Sequence, residues 1–310
     1  MTEAGVQGPV LTNTWEERLR SGGLVLQTGP FTFSIRSPHA GVARNLRLLY
    51  ANHALPADDT PADFALEIAD GAAWRRFWRR QACFVFDGRA VFEPLPAAHA
   101  FALLEWSMNW CISSHAHQYL IVHAAVLAHG DRALILPAPP GSGKSTLCAA
   151  LTHSGWRLLS DELTLIDMRD GRIWPLCRPV SLKNASIPVI RQFAPQAVFG
   201  EVTRDTTKGD VIHMAVPPDH LRQVQQPARA RWIVYPRYVS GADTQLQPRP
   251  RAGAVVDLAR NAFNYHFQGK AGFDLLCDVV EGCDCFDFRY SRLPEAMAAF
   301  NALAGAAPAG

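Results

Sequence analysis

Short apolar runs punctuated by turn residues mark the first hundred residues as β-rich. Leu24 to Gln27 and Phe31 to Ile35 flank Thr28-Gly29-Pro30, a spacing that predicts two strands around a turn. Cys83 to Phe86 and Ala90 to Phe92 flank Asp87-Gly88-Arg89, a second hairpin signal. The pattern changes at Ala97. From there to about Ile112 apolar residues cover most faces of a helix, with Trp106 and Trp110 one turn apart, which predicts a helix packed inside or between domains.

Tyr119 to Ala128 is a strand pattern, and His129-Gly130-Asp131-Arg132 joins it to a second, Arg132 to Leu136. So short a connection predicts an antiparallel hairpin, because parallel neighbours need a crossover of about a dozen residues. A helical pattern follows at Leu147 to Leu151, and Gly155 stops it before the strand Trp156 to Leu159. Thr164 to Met168 and Arg172 to Trp174 flank Asp170-Gly171 as another hairpin. Trp232 to Tyr235 predicts a strand, Gly253 to Tyr265 a helix, Cys285 to Tyr290 a strand and Leu293 to Leu303 a closing helix. The organisation expected is α/β: a small β-rich N-terminal domain over 1–95, a connecting helix over 96–118, a larger domain over 119–304, and a flexible tail over 305–310.

Composition narrows the partners. At 310 residues, 48% apolar and 19% charged, the chain has the makeup of a soluble globular protein, and a net charge of +2 gives no electrostatic case for nucleic acid. Arg75, Arg76, Arg79 and Arg80, interleaved with Trp74, Phe77 and Trp78, read as an amphipathic element with a solvated basic face. Seven scattered cysteines do not make a disulfide framework. Cys283 and Cys285 are too close in sequence to bridge each other and are expected on alternate faces of a strand. Met1 to Arg20 lacks the apolar core of a signal peptide, and no run approaches the ~20 apolar residues of a membrane helix. A cytoplasmic protein with no membrane partner is the expectation.

The chemistry centres on Ala138-Pro139-Pro140-Gly141-Ser142-Gly143-Lys144-Ser145-Thr146, entered by a strand and left by a helix. Glycines let backbone approach a polyphosphate, Lys144 reaches the β- and γ-phosphates, and the Ser145 hydroxyl suits Mg²⁺. Pro140 to Thr146 are therefore the candidate ATP-binding residues. A plain Gly/Pro/Ser turn before a helix is the alternative. Asp161 and Glu162 follow Lys144 by seventeen residues, at the expected exit of a strand taken to neighbour the P-loop strand, where carboxylates would face the γ-phosphate. Surface acids at a strand end are the competing reading. His123 stands among Ile121, Val122, Ala124 and Ala125, an unusual choice for a buried face, although core histidines also occur there. Lys144, Lys183, Lys208 and Lys270 are the only lysines. Lys183 and Lys208, with Arg178 upstream, are candidates to clamp phosphates or an anionic acceptor, or are solvated loop charges.

The stretch His123 to Asp161 resembles the catalytic core of the HPr kinase/phosphorylase family: Val122-His123, the Gly130-Asp131 turn, Leu134 to Leu136, Gly143-Lys144-Ser145, and Leu158-Leu159-Ser160-Asp161-Glu162. Arg178 to Lys183, Asp205 to Gly209, Trp232 to Pro236 and Ala262 to Tyr265 resemble the subgroup of HPr kinase-related kinases A. The likeness covers about two-thirds of the chain. It implies the HPr kinase type of P-loop fold, a mixed sheet related to the nucleotide-binding domain of phosphoenolpyruvate carboxykinase. It further implies Asp161 as general base, Glu162 as a Mg²⁺ residue beside Ser145, His123 near the transferring phosphate, and a homo-oligomer. Glu162 replaces the family's second Asp, Ala124 replaces a glycine, and no counterpart of the Arg-Gly-rich signature loop is present, so reverse phosphorolysis is not implied.

The function expected is an ATP- and Mg²⁺-dependent kinase acting on an unidentified acceptor, a serine of a small protein or peptide or a small metabolite such as an amino or hydroxy acid. A shikimate- or gluconate-kinase-like enzyme is a mechanistic rival. A nucleotide-binding regulatory or chaperone-like module with weak ATPase is the rival from another class.

Overall fold

The computed structural model describes residues 14–71, 79–139 and 141–305. Trp74 to Trp78 of the basic aromatic cluster, Pro140 of the glycine-rich loop, residues 1–13, and the tail beyond 305 lie outside the described residues. The protein is α/β with mixed sheets.

The N-terminal unit begins with α1 (Trp15–Arg20), capped by Thr14 and Glu17 bonding each other's backbone. Strands β1 (Leu24–Thr28) and β2 (Phe31–Arg36) form the expected hairpin; α2 (Ala40–Leu49) precedes β3 (Phe64–Asp70) and β4 (Gln81–Phe86). The second hairpin is shorter than expected on its return side, with β5 only Arg89–Ala90 and β6 Leu95–Pro96. Helix α3 (Ala100–His115), placed in the sequence as a connecting element, is buried in the same apolar cluster as Phe33, Leu46, Ile68 and Phe84.

Strand β7 (Tyr119–His129) then runs antiparallel to β8 (Arg132–Pro137), and β8 leads through the glycine-rich loop into α4 (Lys144–Thr152). Next come β9 (Arg157–Ser160), β10 (Leu163–Asp167) and β11 (Ile173–Trp174), followed by β12 (Val180–Lys183), α5 (Ser186–Phe193), β13 (Thr203–Thr206) and β14 (Gly209–Met214). The chain closes with α6 (Pro218–Leu221), β15 (Arg229–Tyr238), β16 (Gln245–Pro248), α7 (Arg251–Arg260), α8 (Tyr265–Glu281), β17 (Asp284–Tyr290) and α9 (Leu293–Gly305). The central sheet has the order β11-β10-β7-β8-β15-β17-β16, with β9 also on β7; β8, β15 and β17 are parallel and the rest antiparallel. A separate small sheet is ordered β12-β14-β13.

Three expectations need correction. The strand β9, which leads into the two acids, does not neighbour β8, which leads into the glycine-rich loop: it pairs with β7, which lies between them. Both β9 and β8 run antiparallel to β7, so they are parallel to each other and point the same way, about 10 Å apart at two strand spacings. The helix expected over Gly253 to Tyr265 is two helices, α7 and α8, because Asn261 to Asn264 turn aside to pair with β7: Asn261 O accepts from His123 N at 2.8 Å and Phe263 N donates to Ile121 O at 2.8 Å. Buried Asn264 completes the clamp, accepting from Ile121 N at 3.0 Å and donating to Tyr119 O at 2.8 Å. Cys283 precedes β17 and packs with Cys285 into one apolar cluster, so the two do not take alternate faces of a strand.

The two faces of β7 organise the interior. Leu120, Val122, Ala124 and Val126 face α7 and α8 in one cluster. On the other face Tyr119 and Ile121 pack into the N-terminal cluster, whereas Ala125 and Leu127 join Leu147, Leu151, Trp156 and Phe300 around α4. His123 falls between these two cores.

Candidate active site

The glycine-rich loop adopts the backbone that its composition requires. Gly141 and Gly143 have φ of 84° and 86°, the left-handed region that residues with a Cβ rarely occupy. A Cβ on Gly143 would come within 2.5 Å of Tyr290 Oη. Gly143 caps α4, so the N–H groups of the first turn and the positive end of the helix open onto the loop, the arrangement that favours an anion. Lys144 is buried at the first position of α4, Ser145 and Thr146 follow half-buried, and the Ser142 hydroxyl is buried without a partner.

His123 explains itself by its position. At the gap between two cores its ring need not pack as an apolar side chain would, and Nε2 accepts from Lys144 Nζ at 3.3 Å. Burial first, and the Lys144 charge second, lower its pKa to about 4, so it is neutral near pH 7 and a good acceptor for the ammonium. Burial likewise lowers the Lys144 pKa, against the pull of Asp161 and Glu162.

Asp161 and Glu162 directly follow the end of β9, and they also fill a break in one strand line, because β10 resumes at Leu163. Val126 pairs with Ser160 and His123 with Leu163, so the acids stand opposite Ala125 and Ala124 in one continuous register along β7. A regular strand would send adjacent side chains to opposite faces. The break, closed by Leu163 N donating to Ser160 Oγ at 3.2 Å, lets both carboxylates face the cleft. The Thr164 hydroxyl satisfies the Ala124 carbonyl at 3.0 Å beside it.

The two acids differ in environment. Asp161 is buried; Oδ2 accepts from Ser181 N at 3.1 Å and Oδ1 has no partner. Burial, and then the Glu162 charge, raise its pKa to about 6 despite Lys144 and Lys183. Burial pushes Glu162 upward as well, but Lys183, Lys208 and Lys144 outweigh it and hold this carboxyl below its usual range. One acid is thus poised to take a proton near neutrality, and its neighbour stays charged.

The N-terminal unit reaches into this site. Asn109 Nδ2 donates to Glu162 Oε2 at 2.5 Å, and Arg178 Nη1 donates to Asn109 Oδ1, which sets the amide's orientation. Arg178 Nη2 donates to Glu105 Oε2 at 2.5 Å and Glu105 O at 2.7 Å, and Tyr50 Oη donates to Glu105 Oε1 at 2.7 Å. Arg178 therefore lines the cleft beside Asp161 and Glu162, with its guanidinium held by Glu105 and Asn109. Lys183 is at the cleft, 3.8 Å from Glu162 Oε1, and Lys208 lies over the Trp106 ring at 5.3 Å. Asn184 brings these lysines to one end of the small sheet by bridging Lys208 O and Asp210 N. Glu105 and Asn109 are the residues that sequence reading missed. Their signal is two polar groups at i, i+4 on a helix otherwise apolar on most faces.

A cleft lined by Glu105, Trp106, Asn109, Asp161, Glu162 and Ser181 is what these elements enclose. Mg²⁺ takes one or two carboxylates and completes its shell with phosphate oxygens and water. The charged Glu162 carboxylate fits that demand, and Ser145 on the first turn of α4 would offer its hydroxyl to the same ion, which leaves the unpartnered Asp161 Oδ1 free for a proton. Among the described residues no three His, Cys, Asp or Glu side chains converge to hold an ion alone. Among the same residues no helix is long and apolar enough to cross a membrane. No protein-family model and no curated protein matches the chain.

Proposed function

We propose that the protein is an ATP- and Mg²⁺-dependent phosphotransferase that moves the γ-phosphoryl group to a hydroxyl acceptor, with Asp161 as general base. The observation that carries this reading is the pairing of a P-loop lysine with a buried carboxyl whose pKa is raised to about 6 and whose Oδ1 lacks a partner. The acceptor hydroxyl would give its proton to Asp161 while its oxygen forms the new bond to the γ-phosphorus and ADP leaves. Backbone N–H groups from Gly143 onward and Lys144 would hold the phosphates, and Lys144 would exchange its His123 contact for them. Bound Mg²⁺ would neutralise charge on the phosphates; Asn109 would fix the Glu162 carboxylate toward it. The hairpin, loop, helix and acid-bearing strand in a mixed sheet support the HPr kinase type of arrangement. The acceptor class stays as expected from sequence, a serine of a small protein or peptide or a small hydroxy or amino acid.

The test is label transfer from [γ-³²P]ATP to cell extract and to candidate metabolites, resolved by size, with Lys144→Ala as control. Mg²⁺-dependent label on an acceptor, lost in that variant, is the expected result. Label found only as inorganic phosphate, or transfer undiminished by Lys144→Ala, overturns the reading.

A further inference from the structure

A triphosphate on this loop has a direction. Its γ-phosphate belongs on the β7 side of β8, where His123, Asp161 and Glu162 gather, so the α-phosphate and the base leave on the opposite side, over the end of β15. Tyr238 stands there. Its backbone N–H donates to Ser142 O at 2.9 Å, and the Tyr290 hydroxyl donates to Gly143 O at 3.1 Å. A Cβ added to Gly143 would lie 3.0 Å from Tyr238 Cβ, so this tyrosine walls the phosphate loop directly.

Tyr238 and Tyr290 are partners in the β15–β17 register and share the α4 face of the sheet. Earlier residues on that face of β15, Trp232 and Val234, are buried, and so is Tyr290, yet Tyr238 keeps 49% of its surface exposed. Its ring meets Tyr290 edge to face, with centroids 5.8 Å apart and planes at 74°. Tyr290, anchored to the loop, props the ring and leaves the rest of it to solvent.

We propose that Tyr238 is the platform on which the base of the bound nucleoside triphosphate stacks. The inference rests on the nucleotide-binding reading and adds to it the site of the base. Every base has a π face, so a single ring accepts the base by its flatness and not by its edge pattern. Inorganic tripolyphosphate would engage the loop without touching the platform.

Calorimetric titration with Mg-ATP and with Mg-tripolyphosphate tests this on the full chain, using wild type, Tyr238→Leu and Tyr238→Phe. ATP should bind wild type about tenfold or more tighter than tripolyphosphate, as stacking on one ring provides. Tyr238→Leu should weaken ATP by about tenfold and leave tripolyphosphate within about twofold, and Tyr238→Phe should keep ATP affinity. Unchanged ATP affinity in Tyr238→Leu, or equal losses for the two ligands, overturns the platform and leaves the nucleotide reading standing. Wild type that binds neither ligand overturns both.

Discussion

Replacing Asp161 by asparagine should make the protein more stable and less active at once. The carboxyl is buried, one oxygen satisfied by Ser181 N–H and the other by nothing. Its pKa rises from 3.8 to about 6, first through burial and then through the Glu162 charge. An acid with a raised folded pKa contributes stability that is complete below its unfolded value of 3.8 and is lost as pH climbs through about 6. At about 1.4 kcal/mol for each tenfold change in proton affinity, ionising this group in the folded protein costs up to about 3 kcal/mol. The amide has the shape of the protonated acid and no charge. Urea denaturation from pH 3.5 to 8 should show the variant more stable by up to about 3 kcal/mol at pH 8, with the advantage fading below pH 4. Phosphoryl transfer should fall by about 10²–10⁴ in the same variant. A variant less stable than wild type at pH 8, or an advantage that ignores pH, would refute the burial argument, and near-normal transfer would reject the general base.

Asn109→Ala removes a donor from Glu162, and the Mg²⁺ concentration for half-maximal transfer should rise about tenfold, within the range found for outer-shell partners; a fall in stability with an unchanged Mg²⁺ response would make Asn109 purely structural. Glu105→Ala leaves the buried Arg178 cation without its counter-ion and should cost about 3–5 kcal/mol in urea denaturation, with Glu105→Gln losing less. A loss under about 1 kcal/mol would mean that water reaches the pair.

What is legible in the residues is what local chemistry determines. The Asp87-Gly88 and Gly130 turns declare themselves because their positive φ suits those residue types, and the strands flanking them follow. The glycine-rich loop is legible for the same reason, through Gly141 and Gly143. Helix α8 is not, since Gly269 and Gly272 interrupt its pattern and its start is set by Asn264 bonding a strand 143 residues earlier. The nearness of Asp161 and Glu162 to the loop can be read from the short helix between them. That the chain passes over β7 before forming β9 cannot, because no residue in α4 or β9 distinguishes the near from the far position. Glu105 and Asn109 reach the site only through the packing of α3, and their bonds to Arg178, which lines the same cleft, are made across the fold and leave no mark in the local sequence.

Strand β7 belongs to both halves of the protein. Tyr119 and Ile121 are rooted in the N-terminal core, Ala125 and Leu127 in the core around α4, and both edges of the strand are bonded along most of its length. Swinging one half against the other would bend this strand and tear its ladder and the Asn264 clamp. The fold therefore offers no hinge at β7 about which one half could close on the other over the cleft.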